Sequence, residues 1–177
     1  MKEYTSLDIG CGSNPKGDVN CDLYHIKTPH IMEEHKISAK KIPNFVLCNL
    51  AHLPFKDNAF KFVNASQVIE HALEPVSMLK EMKRVSRKIV TLDVPNLRRL
   101  TAEKNQFHLY NWSDHTLRNL LNTFFTDVKI VGSEYGAYIP TQLSSLRGAG
   151  FFCELLENIF YLLFGPPFIK AVCVVSK

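Results

Sequence analysis

The chain has 177 residues, of which 46% are apolar and 21% charged, with a formal charge of +4. That length holds one hydrophobic core and excludes two, and it needs neither disulfides nor a structural metal to do so. The composition excludes disorder, collagen and coiled coil, and so small and scattered a positive excess gives no reason to expect a nucleic-acid partner.

The chain opens on Met1-Lys2-Glu3-Tyr4, which runs at once into a strand-like segment and reads as no signal peptide. Residues 6–9 form a short apolar run stopped by Gly10, the mark of a buried strand end. Residues 18–23, 45–48 and 61–66 read as the second, third and fourth strands. Pro75 then suits the first position of a helix. Val76, Leu79, Met82 and Val85 follow at helical spacing, with Lys80, Glu81, Lys83 and Arg84 on the other side. The basic group Lys83, Arg84, Arg87 and Lys88 reads as a solvated face. A fifth strand spans 88–94 and is ended by Pro95-Asn96. Ser113 is the predicted N-cap of a second helix carrying Leu117, Leu120, Leu121 and Phe124. Residues 128–132 and 169–175 supply two more strands.

Strands separated by helices predict an α/β fold, with a mostly parallel sheet covered on both faces. A ligand in such a sheet lies beyond the carboxyl ends of the strands, where strand order reverses. The alternation is interrupted at 97–112 and 133–168, and the whole chain reads as one domain with 133–168 as an insertion, lid or packing segment. Within it Phe152, Leu155, Leu156, Ile159, Phe160 and Leu163 share one helical face, flanked by Gly148, Gly150 and Gly165-Pro166-Pro167. This face has four readings: a lid over an apolar acceptor, a homodimer contact, an interfacial membrane helix, or, the favoured one, a helix packed on the sheet. The apolar stretch from Phe151 to Phe164 contains Glu154, Glu157 and Asn158 and is too short for a transmembrane segment. Its acidic residues disfavour anionic lipid.

Cys11, Cys21, Cys48, Cys153 and Cys173 are odd in number, with no C-x-x-C pair. This argues against a disulfide framework and a zinc ribbon, and for reduced thiols in the cytoplasm. His25, His30, His35, His52 and His115 show no metal-ligand spacing, so no metal is expected.

The informative string is Leu7-Asp8-Ile9-Gly10-Cys11-Gly12-Ser13-Asn14-Pro15. A strand ends on an acid and turns through two glycines, which permit positive φ and let a ligand lie against the backbone. A G-x-G alone marks many tight turns. Pro15 stands where the dinucleotide fingerprint has its third glycine, which disfavours a pyrophosphate-bearing cofactor such as NAD. Asp22 ends the next strand, where a carboxylate can accept hydrogen bonds from both ribose hydroxyls.

With these residues the chain resembles the class I S-adenosylmethionine-dependent methyltransferases, and among them the methyltransferase type 11 domain. The resemblance continues through Asn49-Leu50-Ala51-His52-Leu53-Pro54-Phe55-Lys56-Asp57-Asn58-Ala59-Phe60, through Ser66-Gln67-Val68-Ile69-Glu70-His71, through Leu79-Lys80-Glu81-Met82-Lys83-Arg84-Val85, and through Phe107-His108-Leu109-Tyr110-Asn111-Trp112-Ser113. It covers about residues 5–135 in order. It implies a doubly wound seven-stranded Rossmann-like sheet whose last strand is antiparallel.

Three features depart from the family's pattern. Asn49 replaces a carboxylate, Lys61 replaces an acid, and residues 13–21 are too few for a normal crossover helix plus strand. The helix that precedes the family's first strand is also absent. The N-terminal helices are therefore reduced and the site more open, with a second subunit or the 133–168 segment completing its wall.

The resemblance implies S-adenosylmethionine as cofactor and S-adenosylhomocysteine as product. Gly10, Cys11 and Gly12 would lie against its amino-acid and ribose parts, with Asp8 anchoring the bend and the ammonium group. Asp22 would take the ribose and Leu23 would sit beside the adenine. Asn49 and Leu50 would frame the adenine, and Ser66 would offer backbone to the methionine moiety. Each has a plain structural rival: Asp8 as a turn cap, Asp22 as a solvated strand end, Asn49 as a turn residue. Cys11 reads as a small space-filler. His71 is a general-base candidate, or part of a Glu-His pair capping a turn. His108, Tyr110 and Trp112 line the acceptor pocket, or pack the helix that follows. The expected function is methyl transfer to a small or medium-sized acceptor. The alternatives are a catalytically inactive methyltransferase-like binding module and, less favoured, an NAD-type enzyme.

Overall fold

The computed structural model describes residues 4–23, 41–97, 107–133 and 168–176. His25, His30 and His35, the apolar face within 151–164 and its flanking glycines lie outside the described residues.

Seven strands form one sheet: β1 (Ser6–Ile9), β2 (Val19–Asp22), β3 (Phe45–Leu47), β4 (Phe60–Ser66), β5 (Ser86–Pro95), β6 (Asp127–Ser133) and β7 (Phe168–Val174). Their spatial order is β3-β2-β1-β4-β5-β7-β6. The first five run parallel, while β7 is antiparallel to both β5 and β6. Strand order reverses between β1 and β4, which places a crevice at their carboxyl ends.

Alternation within the strands sorts side chains between two faces. Leu7, Ile9, Val19, Cys21, Val63, Ala65, Val90, Leu92, Val94, Ile169, Ala171 and Cys173 share one face and are all buried. Helices α1 (Pro75–Val85) and α2 (Asp114–Asn122) complete that core with Met78, Leu79, Met82, Val85, Leu117 and Leu121. The opposite face is largely polar. Asp8, Asn64 and Thr91 stand in register across β1, β4 and β5 and form a ladder. Asn64 Nδ2 donates to Asp8 Oδ1 at 2.8 Å, and Thr91 Oγ1 donates to Asn64 Oδ1 at 2.8 Å. Phe62, on the same face, stays 46% exposed. No helix among the described residues covers this face, and none is long and apolar enough to cross a membrane.

Helix α1 starts at Pro75, whose missing N–H costs nothing at a helix start. Val76 is exposed rather than buried, and Met78 takes its expected place in the core. A strict three-residue spacing precesses around a helix of 3.6 residues per turn, so Val76 ends about 180° from Val85, while Met78 lies within about 20° of it. Helix α2 is capped by Ser113, whose Oγ accepts from Thr116 N at 3.1 Å while Thr116 Oγ1 accepts from Ser113 N at 2.9 Å. The reciprocal pair is a capping box with threonine at the third position.

The basic run at the end of α1 is not the solvated face its composition suggests. The Arg84 guanidinium donates to the carbonyls of Phe55 at 2.7 Å and Leu53 at 3.0 Å, to Asp57, and to both oxygens of Glu81. Glu81 in turn accepts from Leu53 N at 2.8 Å. This fork pins the loop that follows β3 to α1. Lys83 Nζ donates to the Phe124 carbonyl at 2.6 Å.

The β1–β2 connection, residues 10–18, has no helix and is held by side chains instead. Asp18 Oδ2 accepts from Thr5 N and Oγ1 and from Ser6 N and Oγ, all at 2.9–3.0 Å. The backbone and side-chain donors of Thr5, then those of Ser6, hold this carboxyl down at about 2. The unfolded chain therefore binds a proton that the folded chain refuses between about pH 4 and pH 2. Stability from these bonds is present above pH 4 and lost as pH falls through 2. Urea denaturation across that range should show the Asp18→Asn variant losing less stability than the parent. Equal acid slopes would refute the assignment.

Candidate active site

The carboxyl ends of β1, β2, β4 and β5 converge on one crevice. At its centre is the bend after Ile9, with Gly10 at φ 65° and Gly12 at φ 52°, values that favour glycine. Gly10 N and Cys11 N both donate to the Cys21 carbonyl, at 2.8 and 3.1 Å, which ties the bend to β2. Gly12 N donates to Asp22 Oδ2 at 3.0 Å. Asp8 accepts from Lys16 N at 3.0 Å through its second oxygen, so one buried acid joins the returning loop to the polar ladder. A Cβ on Gly12 would meet nothing within 4 Å. The bend is therefore open on that side, beside the buried Asp22 carboxylate.

Cys11 is buried in the bend, and its thiol is pushed up to about 12, first by burial and then by the charges of Asp22 and Asp8. A thiol so raised is no nucleophile at neutral pH.

The β4 side of the crevice is acidic. Ser66 Oγ donates to Asp93 Oδ2 at 3.2 Å, and Gln67 N donates to the Asp93 carbonyl at 2.8 Å. Burial raises the Asp93 carboxyl. Beyond Gln67, a single 3-10 turn, Ile69–His71, drops Ile69 into the core and buries Glu70 completely. Neither Glu70 oxygen has a hydrogen-bond partner among the described residues. Burial, with a smaller push from Asp93, drives this carboxyl up to about 8. His71 Nδ1 lies 2.9 Å from the Phe107 carbonyl. A carbonyl only accepts, so Nδ1 carries the proton and Nε2 is the basic nitrogen. The His108 ring meets the His71 ring edge-on, centroids 4.8 Å apart. Tyr110 stacks on Trp112 at 5.8 Å.

The sheet order and this crevice can be set against known proteins. A family model described as a methyltransferase domain matches residues 7–90, the span that carries the bend, Asp22 and Glu70. An uncharacterized methyltransferase of Schizosaccharomyces pombe is 34% identical over 98 residues, covering 46% of this chain and 35% of that protein. Over residues 7–90 the chain is thus similar to the methyltransferase-domain family. An uncharacterized protein of Methanocaldococcus jannaschii is 32% identical over 89 residues, covering 49% of this chain and 36% of the other. The chain thus spans about a third of the length of these two curated relatives. Among solved structures, a possible histamine N-methyltransferase of Thermotoga maritima superposes with a TM-score of 0.68 at 17% identity, over 99% of this chain and 84% of that one. Phosphoethanolamine N-methyltransferase 2 of Haemonchus contortus, solved with S-adenosyl-L-methionine, gives 0.60 at 14% identity, over 100% and 50%. At these identities both show the methyltransferase fold and no more.

The residues singled out in the sequence divide into three groups. Asp8, Gly10, Cys11, Gly12, Asp22 and Ser66 line the convergent strand ends. Leu23, Asn49 and Leu50 follow β2 and β3; Leu23 is 42% exposed, and Leu50 leans on the core. Asn49 Oδ1 accepts from Ala51 N at 2.9 Å, so the turn role is real. An amide oxygen keeps a second lone pair for another donor. The third group is His71, His108 and Tyr110, beside Glu70. Trp112 departs from it: it is buried in the core and bridges to Asn96, the packing role rather than the open wall of a pocket. Sequence reasoning missed Asn64, Asp93, Gly17 and the solitary burial of Glu70. Asp93 had a signal, an acid inside the apolar run 89–94.

Proposed function

We propose that this chain binds S-adenosylmethionine along the Gly10–Gly12 bend and transfers its methyl group to a small or medium-sized acceptor, leaving S-adenosylhomocysteine. The observation that carries the reading is the bend itself: two left-handed glycines, one open on its outer side, clamped to a buried strand-end acid. Bound there, the sulfonium cofactor supplies an electrophilic methyl carbon. The protein's work is then alignment, which can contribute about 7–11 kcal/mol to lowering such a barrier. Asp22 holds Gly12 N with one oxygen and would take the ribose hydroxyls. Asp8 keeps the bend at the height of β4. Leu23, Leu50 and the spare lone pair of Asn49 form the adenine end, and the acceptor enters on the side of His71, His108 and Tyr110. Cys11, Cys21, Cys48 and Cys173 are free thiols, which supports a reducing location such as the cytoplasm.

Calorimetry with S-adenosylhomocysteine tests the reading. The parent chain is expected to bind it in the micromolar range. Asp22→Asn, which retains an acceptor for Gly12 N, should weaken binding at least about tenfold, or about 1.4 kcal/mol. Asp22→Ala should abolish measurable heat. Failure of the parent to bind either adenosyl compound would overturn the proposal.

A further inference from the structure

Glu70, His71 and His108 each bring one donor atom to within 4.8 Å of the other two. Two chain segments far apart in sequence make this happen. Leu109 N and Tyr110 N both donate to the Glu70 carbonyl, at 2.8 and 3.2 Å, which stitches residues 107–110 onto the turn Ile69–His71. The stitch carries His108 over His71. Glu70 is fully buried, and neither of its oxygens meets a donor among the described residues. Asp93 adds a second buried carboxylate nearby, and its Oδ1 also lacks a partner among them. Buried carboxylates in proteins are neutralised, paired or bound to metal, because an isolated buried charge is costly.

The geometry points to a binding site for a first-row divalent transition-metal ion at Glu70, His71 and His108. Two imidazoles and one carboxylate suit such ions better than calcium or magnesium, which prefer all-oxygen sets. His71 is oriented as a ligand: its Nδ1–H is spent on the Phe107 carbonyl, which fixes the ring and makes Nε2 the basic nitrogen. Metal-binding histidines are commonly held in this way by a backbone carbonyl. Metal–ligand lengths of about 2.1 Å place tetrahedral donors about 3.4 Å apart, within reach of side-chain rotation from 4.8 Å. Three protein donors leave at least one coordination position open. His71 is then a ligand and not a free general base.

The test uses the untagged chain, stripped with chelator and dialysed, with no adenosyl compound present. Cobalt(II) chloride is titrated while visible absorption is read, and zinc chloride is then added as competitor. One equivalent of cobalt should saturate a d–d band that zinc abolishes. Glu70→Gln and His108→Ala should each weaken cobalt binding at least tenfold, with thermal unfolding confirming that each variant is folded. The inference falls if the parent shows no saturable band, or if both folded variants bind cobalt as the parent does. Glu70 would then hold a proton instead. Because the readout needs no cofactor, its failure leaves the adenosylhomocysteine result standing, and the converse holds too.

Discussion

Gly17→Ala is expected to lower the unfolding free energy by about 3 kcal/mol, the upper part of the range for forcing a methyl into filled space. A Cβ at this position would lie 2.4 Å from the Val19 carbonyl oxygen and 2.7 Å from Asp8 N. Both obstacles are backbone atoms of strands paired in register, Leu7 with Val19 and Asp8 with Asn20. Neither can rotate aside as a side chain would. Relief requires β1 and β2 to part, which breaks their ladder and the Lys16 N bond to Asp8. Gly17 also gives its N–H to Asn20 Oδ1 and its carbonyl to Asn20 Nδ2, so a shift there unseats a fully buried amide. Urea denaturation would show the midpoint falling at constant m. A loss under about 1 kcal/mol would show that the short β1–β2 connection yields without strain, contrary to the packing.

Gly10→Ala should be nearly as damaging, for a different reason, and should also weaken adenosylhomocysteine binding. Its left-handed backbone costs an alanine roughly 1–2 kcal/mol. Its Cβ would lie 2.4 and 2.9 Å from the two Val68 methyls. That second obstacle is a side chain, so it can be removed. Adding Val68→Ala should recover on the order of 1 kcal/mol of stability, measurable as a coupling in a double-mutant cycle. The backbone strain should persist in the double variant, and binding should stay impaired because the bend is altered. Strict additivity of the two substitutions would show that Val68 does not close over the bend.

How much of this molecule could be read in advance depended on the distance between partners. The bend, the capping serine of α2 and the seven strands rest on neighbours in sequence, and each stood where local chemistry placed it. The bounds of β5 did not. It begins at Ser86, directly after α1 ends at Val85, because pairing with β4 extends it beyond its apolar run. Arg84 was misread for a similar reason. On a helix wheel it faces solvent, whereas in space it faces the loop at Leu53–Asp57, nearly thirty residues earlier. Trp112, open in the sequence between lining an acceptor pocket and packing the next helix, has its ring buried in the core.

The site divides along the same line. Asp22 and the glycine bend were visible because one strand end and one turn place them together. The Glu70, His71 and His108 group was not, since no spacing pattern links residue 71 to residue 108. Sequence alone determined the parallel strands, the helix that follows β4 and the glycine bend, all products of backbone sterics and hydrophobic periodicity within a few residues. Only the tertiary structure decided which acids are stranded without partners, which cations act as clamps, and which face of the sheet is polar. Those outcomes depend on hydrogen bonds and desolvation between segments that meet only once the chain has folded.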